Sequence, residues 1–434
     1  LQPEGALARA GGATMITSLR LIDFKNFADE TLCAGPFTLI VGANASGKSN
    51  IRDAFRFLHG IGREYPLAEI VGGRDGAGGS SEWRALRGAG NEIVRFGCAK
   101  FALEVSIKLG FPIYPQMGEP PDSPEEPQLG PERNVDFFIQ ARRDTASGRF
   151  LVVDERVIID SRTLYSLADI DYLHIDSANA FLTQFPYVVT PPKFRGLSWI
   201  YLRTLLDWLR NIRFLDLQPD RMRLSGFPGR TVLGDAGENL PTVLEGICAD
   251  AERKETLTAW LRALTPMDVR DLGFRRDERS RVDFFLIESD GREVSADSAS
   301  DGTLRFLGIL AALLGTAPAP LYVFEDIDHG LHPARLHLLV ELIERQTTER
   351  GIQVVATTHS PGLLSMIEER TFKAASVVWR GEDTRDAVIR PLSSLPNAAR
   401  LRTSQGLGQL LAGGWMEDAL SFTEGYETDG NVAE

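Results

Sequence analysis

Only three cysteines, Cys33, Cys98 and Cys248, occur in the 434 residues. They lie far apart with no CxxC pair, which argues against a disulfide framework and a cysteine-built zinc site and fits a reducing cytoplasm. Long apolar runs are also missing: the longest, around Phe306 to Leu314, is too short to cross a bilayer. The opening "LQPEGALARAGGAT" has no apolar signal core, so a soluble, unexported protein is expected, with residues 1–14 a leader ahead of Met15. Positive charge is in deficit, with 47 Lys and Arg against 60 Asp and Glu for a net −13. No broad basic face follows from that balance, and contact with DNA would need a local patch. What remains is ordinary globular composition, 43% hydrophobic and 25% charged, enough for two to three domains.

From Met15, "MITSLRLIDFKNF" alternates like a half-buried strand, and "PFTLIVG" is a continuous apolar run of the kind buried on both faces. "SNIRDAFRFLHGIG" follows with Ile51, Ala54, Phe55 and Leu58 at helical spacing. After a glycine cluster at 72–83, strands are expected at "EIVRFGC" and "KFALEVSIKL", then an exposed loop over the Pro-rich, acidic "FPIYPQMGEPPDSPEEPQLGPE". "VDFFIQARR" and "FLVVDERVIID" suggest antiparallel strands. Helices are expected around "SWIYLRTLLDWLRNI" and "ENLPTVLEGICADAERKETLTAWLRAL", and "RVDFFLIESDGREV" reads as a hairpin turning at Asp290-Gly291. The last block alternates: a helix from Leu304, the strand "PLYVF", a helix from Ala334 to about Arg350, the strand "IQVVATT" and a helix after Pro361. Such alternation means a mostly parallel α/β sheet.

"GANASGKS", Gly42 to Ser49, satisfies G-x-x-x-x-G-K-[ST] between a buried strand and an amphipathic helix. Gly42 and Gly47 let backbone N–H groups wrap phosphates, Lys48 reaches the β/γ-phosphates and the Ser49 hydroxyl holds Mg²⁺. ATP and Mg²⁺ are therefore the expected ligands, with Asn44, Ser46 and Asn50 completing the loop. Such a loop requires a second strand end with acids, and "LYVFED" supplies Glu325 for the magnesium shell and Asp326 for the attacking water. His329 and His332 in "HGLHP" stand three apart in a glycine-containing turn without an HExxH helix, so a dedicated metal site is not expected there. "VVATTHSP" ends another buried strand at His359, placed to sense a γ-phosphate.

The order GxxxxGKS, "SDGTLRFL", an apolar strand with two acids and "GLHP", then "TTHSP" resembles the ABC-type ATPase heads of the RecF/SMC/Rad50 and OLD-like group. Stand-alone prokaryotic AAA-type core proteins are the nearest pattern, and "LRLIDFKNF", "DLQPDRMR", "DAGENLPTVL" and "GGWMEDAL" extend the likeness over most of the chain from Met15. The resemblance implies a P-loop head with a mixed, mostly parallel core sheet, an antiparallel β subdomain and a helical insertion. The head would be split into 15–110 and 291–396, around an insertion at 111–290, with a tail from 397. It also implies that Ser300 and Gly302, in the signature-like "ASDGT", close over ATP bound to a second head, so that the chain forms a homodimer or higher even-numbered oligomer. Glu325 matches the magnesium acid, Asp326 the catalytic acid and His359 the switch histidine. Lys25 and Asn26 match a segment that approaches nucleotide, and Gln140 is the candidate for the glutamine between lobes that reaches Mg²⁺.

Two departures stand out. The usual acid order is Asp then Glu, whereas here Glu325 precedes Asp326, and Asp301 replaces a glycine of the signature. Three functions are compatible: an ATPase switch acting on a partner, a barely catalytic ATP-bound scaffold that cages a toxic effector, and a RecF-like repair protein binding DNA through Arg142 and Arg143 or the cluster Arg275, Arg276, Arg279 and Arg281. No HNH cluster is visible, and a TOPRIM domain is not expected after residue 400. The resemblance thus favours an effector nuclease or toxin encoded nearby, in anti-phage defence.

Overall fold

The computed structural model describes residues 14–76, 81–88, 90, 92–113, 128–169, 176–184, 197–264, 268–381, 385–396 and 398. The expected tail from 397, with "GGWMEDAL", and most of the Pro-rich stretch lie outside them.

Twelve strands make one sheet: β1 (Met15–Phe24), β2 (Phe27–Cys33), β3 (Phe37–Val41), β4 (Lys100–Leu109), β5 (Arg133–Arg143), β6 (Phe150–Ile159), β7 (Arg162–Ser166), β8 (Arg213–Leu215), β9 (Leu321–Phe324), β10 (Gln353–Thr358), β11 (Ser376–Arg380) and β12 (Ala387–Pro391). Their order is β7-β6-β5-β4-β1-β2-β12-β11-β3-β10-β9-β8. From β7 to β2 every pairing is antiparallel, while β11, β3, β10, β9 and β8 run parallel, so the α/β class holds with a mixed sheet. The parallel half is buried on both faces, and its strands are solidly apolar, as "FTLIV" and "LYVF" show. A separate antiparallel sheet pairs Val269–Arg276, Val282–Glu288 and Glu293–Ser295, with Gly291 at φ +87° in the expected turn.

Helix α1 (Lys48–Gly62) lies against one face with α2 (Leu197–Arg210). The other face carries α3 (Leu240–Cys248), α4 (Ala251–Leu264), α5 (Asp301–Leu314) and α6 (Leu336–Glu349). The α1 core joins strands from both halves: Phe57 meets Phe101 edge-on at 5.3 Å, and Phe101 meets Phe24 at 5.4 Å. Edge-to-face pairs of this kind add about 0.5–1.5 kcal/mol each beyond their buried area. Buried Gln353 ties the halves through polar contacts, accepting from Ile16 N at 2.9 Å and donating to the carbonyls of Ile16 and Gly35 at 2.8 and 2.9 Å.

Several expectations need correction. "EIVRFGC" is not a strand; only Val94 bridges to Phe24 before the chain turns. The helix expected from Leu304 begins at Asp301, and that after Pro361 is a single turn, Pro361–Leu364. Strands β5 to β7, assigned by sequence to the 111–290 insertion, continue the sheet of β1 and β4, because "VDFFIQARR" satisfies its ladder on β4 from Lys100 to Leu109.

Candidate functional site

The parallel register sets the site. Val41 ends β3 beside Thr358 of β10, and Phe324 ends β9 beside Ala356, so Gly42, His359 and Glu325 leave the carboxyl ends of three adjacent strands. That edge is where open α/β sheets bind ligands.

In the loop, Gly42 has φ +153° and Gly47 φ +122°. A Cβ on Gly42 would fall 2.2 Å from the Val378 carbonyl oxygen, and one on Gly47 would fall 2.8 Å from Asn26 Nδ2. The backbone has to pass here without side chains. No side chain caps the start of α1, which leaves a first turn suited to an anion. Among the described residues the buried Ser46 hydroxyl has no hydrogen-bond partner, an orphaned polar atom inside the loop. Lys48 donates from Nζ to the carbonyls of Gly42 and Ala43 at 2.8 and 2.7 Å. Burial pulls its pKa down to about 8, against the opposing charges of Asp326 and Glu325.

Ser49 Oγ donates to Glu325 Oε1 at 2.8 Å, joining the two groups expected at magnesium. The second Glu325 oxygen accepts from Arg87 Nη2 at 2.5 Å, and Arg52 Nη1 stands 3.7 Å away. Burial would raise the Glu325 carboxyl, but the hydrogen bonds from Arg87 and Ser49 and the charge of Arg52 outweigh it and hold it below the usual range. Two oxygen donors on facing elements, one anionic, suit a hard divalent cation. Sequence reasoning missed both arginines. Arg52 has a signal, a cation on the buried face of α1, whereas Arg87 arrives from a loop 238 residues from Glu325.

Asp326 occupies the left-handed region at φ +48°. Its backbone N–H donates to Thr357 Oγ1 at 2.9 Å, that hydroxyl reaches Asp326 Oδ1 at 3.3 Å, and His359 Nε2 lies 3.6 Å from the same oxygen. Asp326 and His359 are thus brought together at the ends of neighbouring strands. His332 Nδ1 accepts from Ala334 N and caps a helical turn, and among the described residues no group of three or more His, Cys, Asp or Glu side chains gathers for a metal.

Asn26 and Asn50 meet beside the loop. Asn26 Nδ2 donates to the Ser46 carbonyl at 3.3 Å, and Asn50 Nδ2 donates to Asn26 Oδ1 at 2.7 Å. Lys25 departs from its expected role. Its buried ammonium is ion-paired with Asp53 and donates to the Arg87 carbonyl at 2.8 Å, so it turns toward α1. Burial lowers its pKa despite Asp53. Gln140 is not brought to the loop either: on β5 its Oε1 accepts from Lys100 at 3.2 Å, because the antiparallel ladder places it beside Ala102.

Ser300 caps α5, accepting from Thr303 N at 3.2 Å. Gly302 is required by close packing, since a Cβ there would sit 2.4 Å from the Gly330 carbonyl oxygen. The signature-like helix thus rests on the turn after β9 within one chain. Asp301 is paired with Arg223 at 2.7 Å, and Arg223 also donates to the Ala299 carbonyl. The extra negative charge is answered by the "PDRMR" segment.

The family model described as "AAA domain, putative AbiEii toxin, Type IV TA system" matches residues 37–102 and 202–365, more than half of the chain. The chain belongs to this family. The two matched stretches carry the phosphate loop, the Glu325-Asp326 strand and His359, while β5 to β7 fall between them. The AAA-type P-loop reading of the sequence holds. The AAA domain is similar to an SMC head bound to the C-winged helix domain of ScpA, at 15% identity and TM-score 0.45 over 86% of this chain and 97% of that one. It is also similar to the SMC head domain from Thermotoga maritima, at 15% and 0.41 over 87% and 98%. A third likeness is to an Smc head with an extended coiled coil bound to the C-terminal domain of ScpA derived from Pyrococcus furiosus, at 13% and 0.43 over 87% and 96%. No curated protein matches the chain. Among the described residues no helix is long and apolar enough to cross a membrane.

Proposed function

We propose that this AAA-domain protein is an Mg²⁺-ATP switch in the cytoplasm whose heads pair around nucleotide and control a toxin or nuclease effector. The observation that carries the reading is the 2.8 Å bond from Ser49 on α1 to Glu325 at the end of β9, which brings two distant motifs to one point. Lys48 would exchange its loop carbonyls for the β/γ-phosphates, with Ser46 and the first turn of α1 receiving the rest of the chain of phosphates. Ser49 and Glu325 would hold Mg²⁺, which when bound neutralises developing charge on the phosphates. Asp326 would accept the proton of the attacking water, with His359 beside it to sense the terminal phosphate.

Pairing through Ser300 and Gly302, giving a homodimer or larger even-numbered assembly, belongs to the same proposal. So does a head split in sequence into 15–110 and 291–396, with β5 to β8 of the 111–290 region returning to its sheet. The family's description names a putative toxin of a type IV toxin–antitoxin system, which favours effector control over repair. The arginine cluster points the same way. Arg275 is ion-paired with Glu293, Arg276 with Glu245 and Arg281 with Asp277, so little uncompensated charge is offered to a phosphate backbone.

Multiple-turnover phosphate release tests the switch: Lys48→Ala should remove nucleotide binding and turnover together. A scaffold that does not cycle would give no Mg²⁺-dependent turnover in the unaltered protein. Steep salt-dependent DNA binding lost with the arginine cluster would instead restore the repair reading.

A further inference from the structure

Beyond the phosphates, an exposed aromatic stands out. Phe96 is 78% exposed, the most exposed large hydrophobic among the described residues. It does not sit on a loose loop. Ile93 to Arg95 run against β1, with Lys25 N donating to the Ile93 carbonyl and Arg95 N to the Asp23 carbonyl, both at 2.8 Å. The Arg95 guanidinium then binds Asp23 at 2.8 Å and Asp386 at 3.2 Å, and Cys98 N closes the turn on the Arg95 carbonyl at 3.0 Å. On the other flank, Ala387 N donates to the Asn26 carbonyl at 2.7 Å, which places Arg385 two residues from that bond. Arg385 lies over the Phe96 ring, 4.6 Å from its centroid. One face of the ring is covered by a cation and the exposure is left to the other.

Lys48, Ser49 and Glu325 mark the end for the terminal phosphate and metal. The turn of Lys25 and Asn26 joins that loop to the aromatic: Asn26 Nδ2 donates to the Ser46 carbonyl, while its own carbonyl accepts from Ala387 N and Lys25 N is bonded to Ile93. We infer that Phe96, backed by Arg385, is a stacking platform for the base of the bound nucleoside triphosphate. The inference rests on the nucleotide reading of the phosphate loop and adds to it the part of the ligand that the loop does not touch. A braced aromatic with a cation behind it binds a π-face without an ordering cost.

Isothermal titration of the full chain with Mg²⁺-ATP and with Mg²⁺-tripolyphosphate separates the two. Phe96→Ala should weaken ATP about 5- to 150-fold, the range for loss of one base–aromatic stack. Tripolyphosphate binding should not change, Phe96→Trp should keep ATP affinity, and Arg385→Ala should weaken ATP roughly two- to fivefold. The platform is overturned if Phe96→Ala leaves ATP binding intact, weakens both ligands equally, or alters only self-association in sedimentation. Lys48→Ala should lose both ligands. If it retains them, the phosphate-loop reading falls and the platform with it, a failure distinct from an unresponsive Phe96.

Discussion

Asp326→Asn is an unusually clean perturbation at this site. Asp326 sits at φ +48°, a region that Asn and Asp enter more readily than other non-glycine residues. The replacement therefore asks nothing new of the backbone. The N–H bond to Thr357 does not involve the side chain, and an amide oxygen can still accept from the Thr357 hydroxyl. The side chain is 42% exposed, so no buried charge is lost. Stability should stay within about 0.5 kcal/mol of the parent, the usual range for a surface change. What disappears is the ability to take a proton, which is worth about 10²- to 10⁴-fold in rate. The expected result is phosphate release reduced by that factor at saturating Mg²⁺-ATP, with ATP still bound and the melting curve unmoved. Asp326→Glu, which lengthens the acid, should cost roughly 1 kcal/mol in stability because a longer stem is less at home in the left-handed region. Turnover of the Asn variant within about threefold of the parent would refute the assignment, since a positioned base contributes far more than that.

Lys48 should make nucleotide binding pH-dependent. With its folded-state pKa pulled to about 8, the ammonium is increasingly lost above that pH, so ATP affinity should fall there. Binding at about pH 8.5 should take up protons, read as a buffer-dependent enthalpy. The same depressed value means the unfolded chain binds more protons between about 8 and the ordinary lysine value, so this group's contribution to stability rises with pH across that window. Gly302→Ala, with a Cβ 2.4 Å from the Gly330 carbonyl oxygen, should push α5 from the turn after β9. It should lower turnover while leaving ATP titration unchanged; a variant with parental turnover would show that the contact is not used. Gln353→Leu leaves the Ile16 N–H and two carbonyls without their partner at the seam of the sheet, an expected loss of about 3–5 kcal/mol in urea unfolding.

The chemistry carried on strand ends was legible in the chain. Gly42 to Ser49, Glu325, Asp326 and His359 each follow a short apolar run, and parallel neighbours bring such ends to one edge whatever the intervening distance. Side chains that reach the site from a loop were not legible. Arg87 depends on how residues 84–88 cross the top of α1, and no local pattern marks that path. In sequence Lys25 shares a motif with Asn26, which does face the loop, but Asp53 lies a turn and a half into α1 and captures the lysine's charge. Gln140 failed for a topological reason: strand register on Lys100 to Leu109 decides where it points, and register between distant strands leaves no mark in a single sequence. For the same reason β5 to β7 look like an insertion in the sequence, although they extend the head's own sheet.

That unbroken sheet has a mechanical consequence. Adjacent strands rotate by roughly 20° each, so across its eleven pairings the sheet turns through on the order of half a circle or more. One face shares its core with α1. Phe24, Phe101 and Phe137 close on the helix from the antiparallel side, Leu321, Val323 and Val355 from the parallel side, and α2 packs along it. The helix that begins at Lys48 is therefore buried along nearly its whole length. Strands as distant as β5 and β10 contribute to the core that holds α1. The antiparallel wing and the nucleotide edge thus belong to one sheet and share one core with α1.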